Sequence, residues 1–355
     1  MIAMPSLGQV PFIGGALQQQ LMAPIARTLA ADRLPFEQYT DPPGDPGLFG
    51  PGSVTWRVHA DPSMLIGGLS ALLLQTLHPL AIAGVADHSN YREDPLGRLG
   101  RTGSFVTGTT YGSTETAERL IKVVKRIHRK VKGTAPDGRP YSAADPDLVT
   151  WVHATEVFSF LRAHQRFVPF PVRGEQADRY YHEMATIAER MGATDVLRTR
   201  AATRAYFREM RPQLEVGEQA IDAVRFLTTP GRDPRNPLLA GAHQMVIQAS
   251  VGLLPAWARD MLGLRHPTLV DWATLLPATH LLMGTLRFAG GPPAALVQAR
   301  RRCAAEPPPR PEPDRPARPD QVPVNLGSRR SRKARGPSRA SFDDITAMPS
   351  SDSRA

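Results

Sequence analysis

The sequence is poor in cysteine: Cys303 stands alone among 355 residues. One thiol forms neither an intrachain disulfide nor a cysteine-rich zinc centre, so disulfide scaffolds, zinc fingers and thioredoxin-like redox pairs are excluded. Other chemistries are missing as well. There is no G-x-G-x-x-G after a strand pattern, no G-x-x-x-x-G-K-[ST], no G-x-S-x-G and no H-E-x-x-H. His182 and Glu183 open the last of these, but Thr186 stands where its second histidine is needed. Nucleotide-loop, lipase-type and zincin readings fail. A ferritin-like di-iron bundle fails too, because no Glu has His three residues later and His153 and Glu156 run in the reverse order. Period-two alternation is confined to Val54, Trp56 and Val58, and there is no internal repeat.

What is present is globular in composition, with 41% hydrophobic and 21% charged residues and a formal charge of +10. The basic excess is spread along the chain: residues 306–355 hold ten Lys/Arg against seven Asp/Glu, and the first 305 hold 33 against 26. The densest run, Arg329, Arg330, Arg332, Lys333, Arg335 and Arg339, has no interleaved aromatics. It reads as a solvated disordered tail, or as a loose contact with phosphate or anionic lipid, and no specific nucleic-acid partner is expected.

Ten of the 35 prolines fall in residues 306–355 without periodic apolar spacing. Three segments follow: a Pro/Gly-rich extension over residues 1–47 with one helix expected around Gln18 to Ala31, a helical domain over 48–305, and a disordered basic tail over 306–355. No basic region leads into an apolar one near the start, and the expected location is cytoplasmic.

From Met64 to Ala86 the chain carries no Lys, Arg, Asp or Glu. That run is long enough to span a bilayer, yet it holds Gln75, His78 and Pro79 and lacks a basic flank, so two readings stand: a buried central helix, or a membrane-embedded segment. The rest reads as helix after helix: Ser113 to Lys132 ending at Gly133, Asp145 to Phe167, Glu175 to Met191, Asp195 to Met210, Glu218 to Thr228, Leu238 to Leu254, Asp271 to Phe288 and Ala294 to Ala305. The fold class is all-α, a single domain of about ten helices.

The histidines carry the chemical signal. In Ser113 to Lys132, at about 100° per residue, Leu120, Ile121, Val124, Ile127, His128 and Val131 share one stripe, while lysines and arginines occupy the rest. His128 is expected to point into the core, where an imidazole must hydrogen-bond, titrate or ligate a metal. In the next long helix apolar residues lie on nearly every side, and His153 and Glu156 share that environment. Glu156 reads either as an ion-pair partner of an arginine such as Arg162 or as a functional acid.

An ordered set of residues resembles a family. The set runs from Gly50-Pro51-Gly52-Ser53 and Trp56-Arg57-Val58 through Leu74-Gln75, His78-Pro79 and Asp87-His88-Ser89. It continues with Arg98-Leu99-Gly100-Arg101-Thr102, Ile127-His128, Val131 and Gly133, and ends at Trp151-Val152-His153. This order is similar to the mpaB/rubber-oxygenase catalytic domain, the family of the latex-clearing proteins, over about residues 48 to 290. The resemblance implies an all-helical, globin-like core holding haem b and oxygen chemistry at its iron. Its R-x-x-x-T motif falls on Arg98 and Thr102, and its haem-ligating histidine falls on His128. His78 and His88, which bracket Pro79, are expected to line the cofactor pocket and, with His153, compete with His128 as ligand; His153 and Glu156 are the candidate catalytic residues, Glu156 read from its burial and from no family motif.

Chemistry read from the residues agrees in kind. A buried haem needs a neutral imidazole on iron, a cation for its propionates and apolar walls. For Arg98 and Thr102 the other reading is a surface arginine near a cap threonine. Members of the family can have lysine where this chain has Arg101, and a guanidinium cannot ligate iron. The expected function is therefore a haem b-dependent oxygenase using O2 on a small apolar substrate inside the cell, polyisoprene being disfavoured. The alternatives are a non-catalytic haem or lipid carrier, and a membrane-associated interaction protein with peripheral membrane contact. The redox partner is unnamed by the sequence.

Overall fold

The computed structural model describes residues 37–229, 237–265 and 267–306. Among them are fourteen α-helices, one turn of 3-10 helix and one short hairpin, so the chain has the all-α class its sequence calls for. The expected helix at Gln18 to Ala31 and the tail from residue 307 lie outside the described residues.

The first half holds α1 (Glu37–Thr40), α2 (Val54–His59), α3 (Met64–Gln75), α4 (Pro79–His88), α5 (Pro95–Tyr111) and α6 (Thr114–His128). Strands β1 (Lys132–Thr134) and β2 (Pro140–Ser142) follow, then α7 (Pro146–Phe167), α8 (Gly174–Met191), α9 (Arg200–Met210) and α10 (Glu218–Thr228). The chain closes with α11 (Pro237–Leu253), α12 (Ala256–Met261), α13 (Leu269–Gly290) and α14 (Ala294–Ala304).

Helix starts follow side-chain chemistry. Ser113 accepts from the Thr116 amide, Asp145 from Asp147 and Thr199 from Ala202, each meeting a backbone donor with no partner inside its helix. Thr268 and Asp271 form a reciprocal capping box at α13. The Thr199 cap also moves the start of α9 from the expected Asp195 to Arg200. The Val54, Trp56, Val58 set is a helix capped by Ser53, three alternating residues being too few to hold a strand.

Three expectations are corrected. The uncharged Met64 to Ala86 run is two helices, α3 and α4, bent by 107°. Pro79 cannot donate an amide and disfavours the helical region for the residue before it, so His78 is extended (φ −90°, ψ 114°) and α4 starts afresh on Pro79. No single helix among the described residues is long and apolar enough to cross a membrane. Next, α6 stops at His128 instead of Lys132, because Lys132 to Thr134 pairs antiparallel with Pro140 to Ser142. Gly133 is therefore a strand residue and not a helix cap: a Cβ there would sit 2.6 Å from Tyr141 Oη. Finally, the helices outnumber the expected ten because short ones such as α1, α2 and α12 carry too few residues to show a period.

The centre of the domain is α7, whose buried residues lie all round it. It packs hardest against α3, where Gly67 allows close approach: a Cβ there would be 3.0 Å from Phe160 Cα and 3.2 Å from Ala163 Cβ. Trp151, Leu73, Leu74, Leu77, Phe207 and Leu254 form the main apolar cluster on one side of α7. Val58, Val157, Phe160, Tyr180 and Met184 form a second on the other. Each fully buried Leu or Phe in these clusters contributes roughly 1.5–3 kcal/mol.

Candidate active site

The chemistry-bearing residues of α7 are placed by its packing on α3. Gln75 Nε2 donates to Thr155 Oγ1 at 3.2 Å, fixing the register at the C-terminal end of α3. His153 lies two residues before this contact and Glu156 one residue after it. His153 is buried, its Nε2 has no hydrogen-bond partner, and burial lowers its pKa to about 4, so the ring is neutral. Glu156 is half-buried, makes no hydrogen bond or ion pair with the described residues, and is pushed up to about 7 by burial. The expected alternative partner, Arg162, lies instead over the Phe158 ring at 5.5 Å. Glu156 thus sits as a carboxyl without a counter-ion, half protonated near neutral pH.

The corner between α3 and α4 positions the next histidine. His78 is the residue before Pro79, and its extended backbone turns the ring toward α7, with centroids 5.9 Å from Trp151. It is buried, its Nδ1 has no partner, and burial, aided by the Arg139 charge, lowers its pKa to about 4. His88 ends the same helix and is exposed. Its Nε2 lies 3.3 Å from the Lys132 carbonyl and its ring edges Tyr141. The structure therefore separates the two histidines that bracket Pro79: His78 faces the core and His88 the hairpin.

Arg98 and Thr102 do share α5, one turn apart. Arg98 is half-buried, 6.0 Å from the Tyr91 ring, and its side chain makes no hydrogen bond to the described residues; burial lowers its pKa. Thr102 is exposed. Arg101 is exposed and pairs with Asp94 at 3.3 Å. His128 is the last residue of α6, half-buried and without a hydrogen-bond partner for its ring among the described residues. Burial lowers its pKa, which keeps the ring neutral. The expected stripe holds at Ile121, which is buried, but Ile127 is 52% exposed, so His128 lies at the margin of the core and not inside it.

A hydrogen-bonded triad here has no signature in the sequence. His59 Nδ1 lies 2.8 Å from Thr110 Oγ1 and His59 Nε2 lies 2.9 Å from Tyr180 Oη, tying α2, α5 and α8 together. Burial, and then the nearby His164, lowers the His59 pKa to about 3. Burial raises Tyr180 well above the ordinary phenol value, and the Glu156 charge adds to that rise. The three residues come from distant parts of the chain, and no spacing rule would have found them.

No hydrogen bond joins any two of the seven residues singled out from the sequence. What four of them share is a polar group without a protein partner: the rings of His128, His78 and His153 and the carboxyl of Glu156, beside the uncompensated guanidinium of Arg98. Among the described residues no group of three His, Cys, Asp or Glu is placed to hold a metal ion. A haem needs only one axial imidazole, and two of these residues suit it by type: a ring at His128 without a hydrogen-bond partner among the described residues, and a half-buried cation at Arg98 for a carboxylate.

The family profile described as "ER-bound oxygenase mpaB/B'/Rubber oxygenase, catalytic domain" matches residues 56–288, well over half of the chain. Two curated relatives are similar, "Uncharacterized protein Mb2261" of Mycobacterium bovis and "Uncharacterized protein Rv2237" of Mycobacterium tuberculosis. Each is 33% identical over 124 residues, covering 32% of this chain and 46% of the relative. The similarity thus spans less than half the length of these relatives. No solved structure matches the chain.

Proposed function

Because the chain belongs to the mpaB/rubber oxygenase catalytic-domain family, we propose that it is a haem b-dependent oxygenase that uses O2 on a small apolar substrate. The observation that supports this reading is His128, an imidazole at the end of α6 without a hydrogen-bond partner among the described residues, its pKa lowered by burial, at the position the sequence resemblance assigns to the haem ligand. When bound, haem supplies the redox and O2 chemistry that side chains lack. Arg98 would hold a propionate by charge-assisted hydrogen bonds, which its guanidinium does not make with the described residues. Neutral His78 and His153 offer ring nitrogens without adding charge to the interior. Glu156, titrating at about 7, holds or releases a proton at its carboxyl under working conditions.

A non-catalytic haem carrier needs the ligand and the cation but no such acid, and Glu156 favours the oxygenase. The test is the absorption spectrum of the purified or haem-reconstituted chain. A Soret band that is abolished or strongly shifted in His128→Ala, in protein that keeps its helical circular dichroism, supports the assignment. An unchanged spectrum in that variant sinks His128 as ligand, and haem-free protein from every preparation sinks the cofactor. Substrate-dependent oxygen consumption then separates oxygenase from carrier.

A further inference from the structure

Among the described residues, five large apolar side chains are more than 70% exposed: Leu269 (89%), Val270 (73%), Leu281 (73%) and Phe288 (82%) on α13, and Phe170 (83%) just beyond α7. At 100° per residue, Val270, Pro277, Leu281, Gly284 and Phe288 lie on one stripe of α13, roughly 27 Å long. From Trp272 to Leu286 the helix carries no charged residue. Arg287 Nη2 donates to the Phe167 carbonyl at 2.6 Å, which brings the end of α7 beside the end of α13. Phe170 and Phe288 therefore crown the same end of the face.

That end is also basic. Arg57 Nη2 donates to the Phe170 carbonyl at 2.6 Å, and Arg57 lines a cleft of about 410 Å³ together with Ser53, Trp56, Leu296 and Arg300. Both arginines are exposed, and neither pairs with a carboxylate among the described residues. Arg179 reaches the Gly52 carbonyl on the same rim, where Glu183 neutralises it, as Asp61 neutralises Arg287.

We propose that this face docks the protein on an anionic lipid bilayer, with the α13 stripe and Phe170 in the boundary between headgroups and acyl chains and Arg57 and Arg300 on lipid phosphates. Charge selects the occupant. A bare apolar stripe suits a second copy as well as a membrane, but it ends on two exposed cations, Arg57 and Arg300, with no carboxylate partner among the described residues, and anionic headgroups supply a phosphate to each. The surface is not the uncharged Met64 to Ala86 run that suggests membrane contact in the sequence, since that run folds into the corner of α3 and α4.

The test uses the full chain in flotation with phosphatidylcholine vesicles, with and without phosphatidylglycerol. Flotation with the anionic vesicles is expected, falling roughly tenfold or more in the Leu281→Asp, Phe288→Asp double variant. The Arg57→Gln, Arg300→Gln pair should lose most of the preference for phosphatidylglycerol. Because the basic tail is a competing route to the same vesicles, Phe288→Trp is examined with brominated acyl chains, which should quench the added fluorescence. Absence of flotation overturns the proposal. So does flotation without quenching, which moves the contact to another segment, and so does a dimer in sedimentation that Leu281→Asp dissociates, which gives the face to a second copy.

Discussion

Arg302 Nη1 donates to the Tyr111 carbonyl at 2.9 Å, joining the last helix to the end of α5. The same guanidinium reaches the carbonyls of Tyr39, Asp45 and Gly112, and the side chain is 2% exposed. One cation thus satisfies four backbone acceptors at the point where α1, α5 and α14 meet. Gly47 belongs to this joint: with φ +68° and only 2.4 Å between its absent Cβ and the Gly112 carbonyl, no larger residue fits.

Replacing Arg302 by Ala leaves those carbonyls buried without donors and should cost about 3–5 kcal/mol, read as a lower urea midpoint. Arg302→Lys should recover little, since one ammonium cannot reproduce the planar fork. Cutting after Ala305 should leave both fold and cofactor intact. A melting temperature unchanged in Arg302→Ala, or clearly lowered by the cut, would show that the boundary of the folded domain lies elsewhere.

Arg98→Ala should weaken haem retention, while Arg101→Ala, which loses an exposed pair with Asp94, should not. Competition with apomyoglobin measures the loss directly. Equal haem loss from both variants would remove Arg98 from the site.

Glu156 carries a pH signature of its own. Its folded pKa of about 7 lies above the unfolded value, so it contributes no penalty at acid pH, and it lowers stability progressively as pH rises from about 4.5 to 7. Above pH 7 the cost is about 3 kcal/mol. Glu156→Gln should therefore gain stability over the parent at pH 8 and little at pH 4. Parallel melting curves against pH in the two proteins would refute the assignment.

The buried histidines act in the opposite sense. His78 and His153 have folded pKa values of about 4 and His59 of about 3, below the unfolded value, so their contribution is complete above pH 6.5 and is lost as pH falls toward 4. Acid unfolding should shift to lower pH in His153→Gln. In His59→Ala, Tyr180 Oη and Thr110 Oγ1 lose their shared partner, and a destabilisation of about 2–4 kcal/mol is expected at neutral pH. A His59→Ala protein as stable as the parent would show that water replaces the ring.

Much of the fold is local and so was legible in the residues. Glu218 to Thr228 is the helix its sequence spells, and Ser113 and Asp145 cap where they should. Helix α6 ends early because Lys132 pairs with Ser142 across a hairpin, a cross-strand choice that a helical period cannot reveal. In the site, the reach of Arg162 to Glu156 was decidable in advance: six positions along a helix is about 240°, which points the two side chains to different faces. The His59, Thr110 and Tyr180 triad was not decidable, since it exists only once three distant helices have met.

The corner at His78 has a consequence for the newborn chain. The Leu77 carbonyl, left over where α3 stops, accepts from the Glu215 amide at 2.9 Å. At ribosomal speeds of about 5–20 residues per second, that donor emerges on the order of ten seconds after the corner itself. Until then the uncharged Met64 to Ala86 stretch waits outside the tunnel without its downstream lid. Its early companion during translation must be a chaperone or its own collapse, and slowing synthesis between Ala86 and Glu215 should lengthen its exposure.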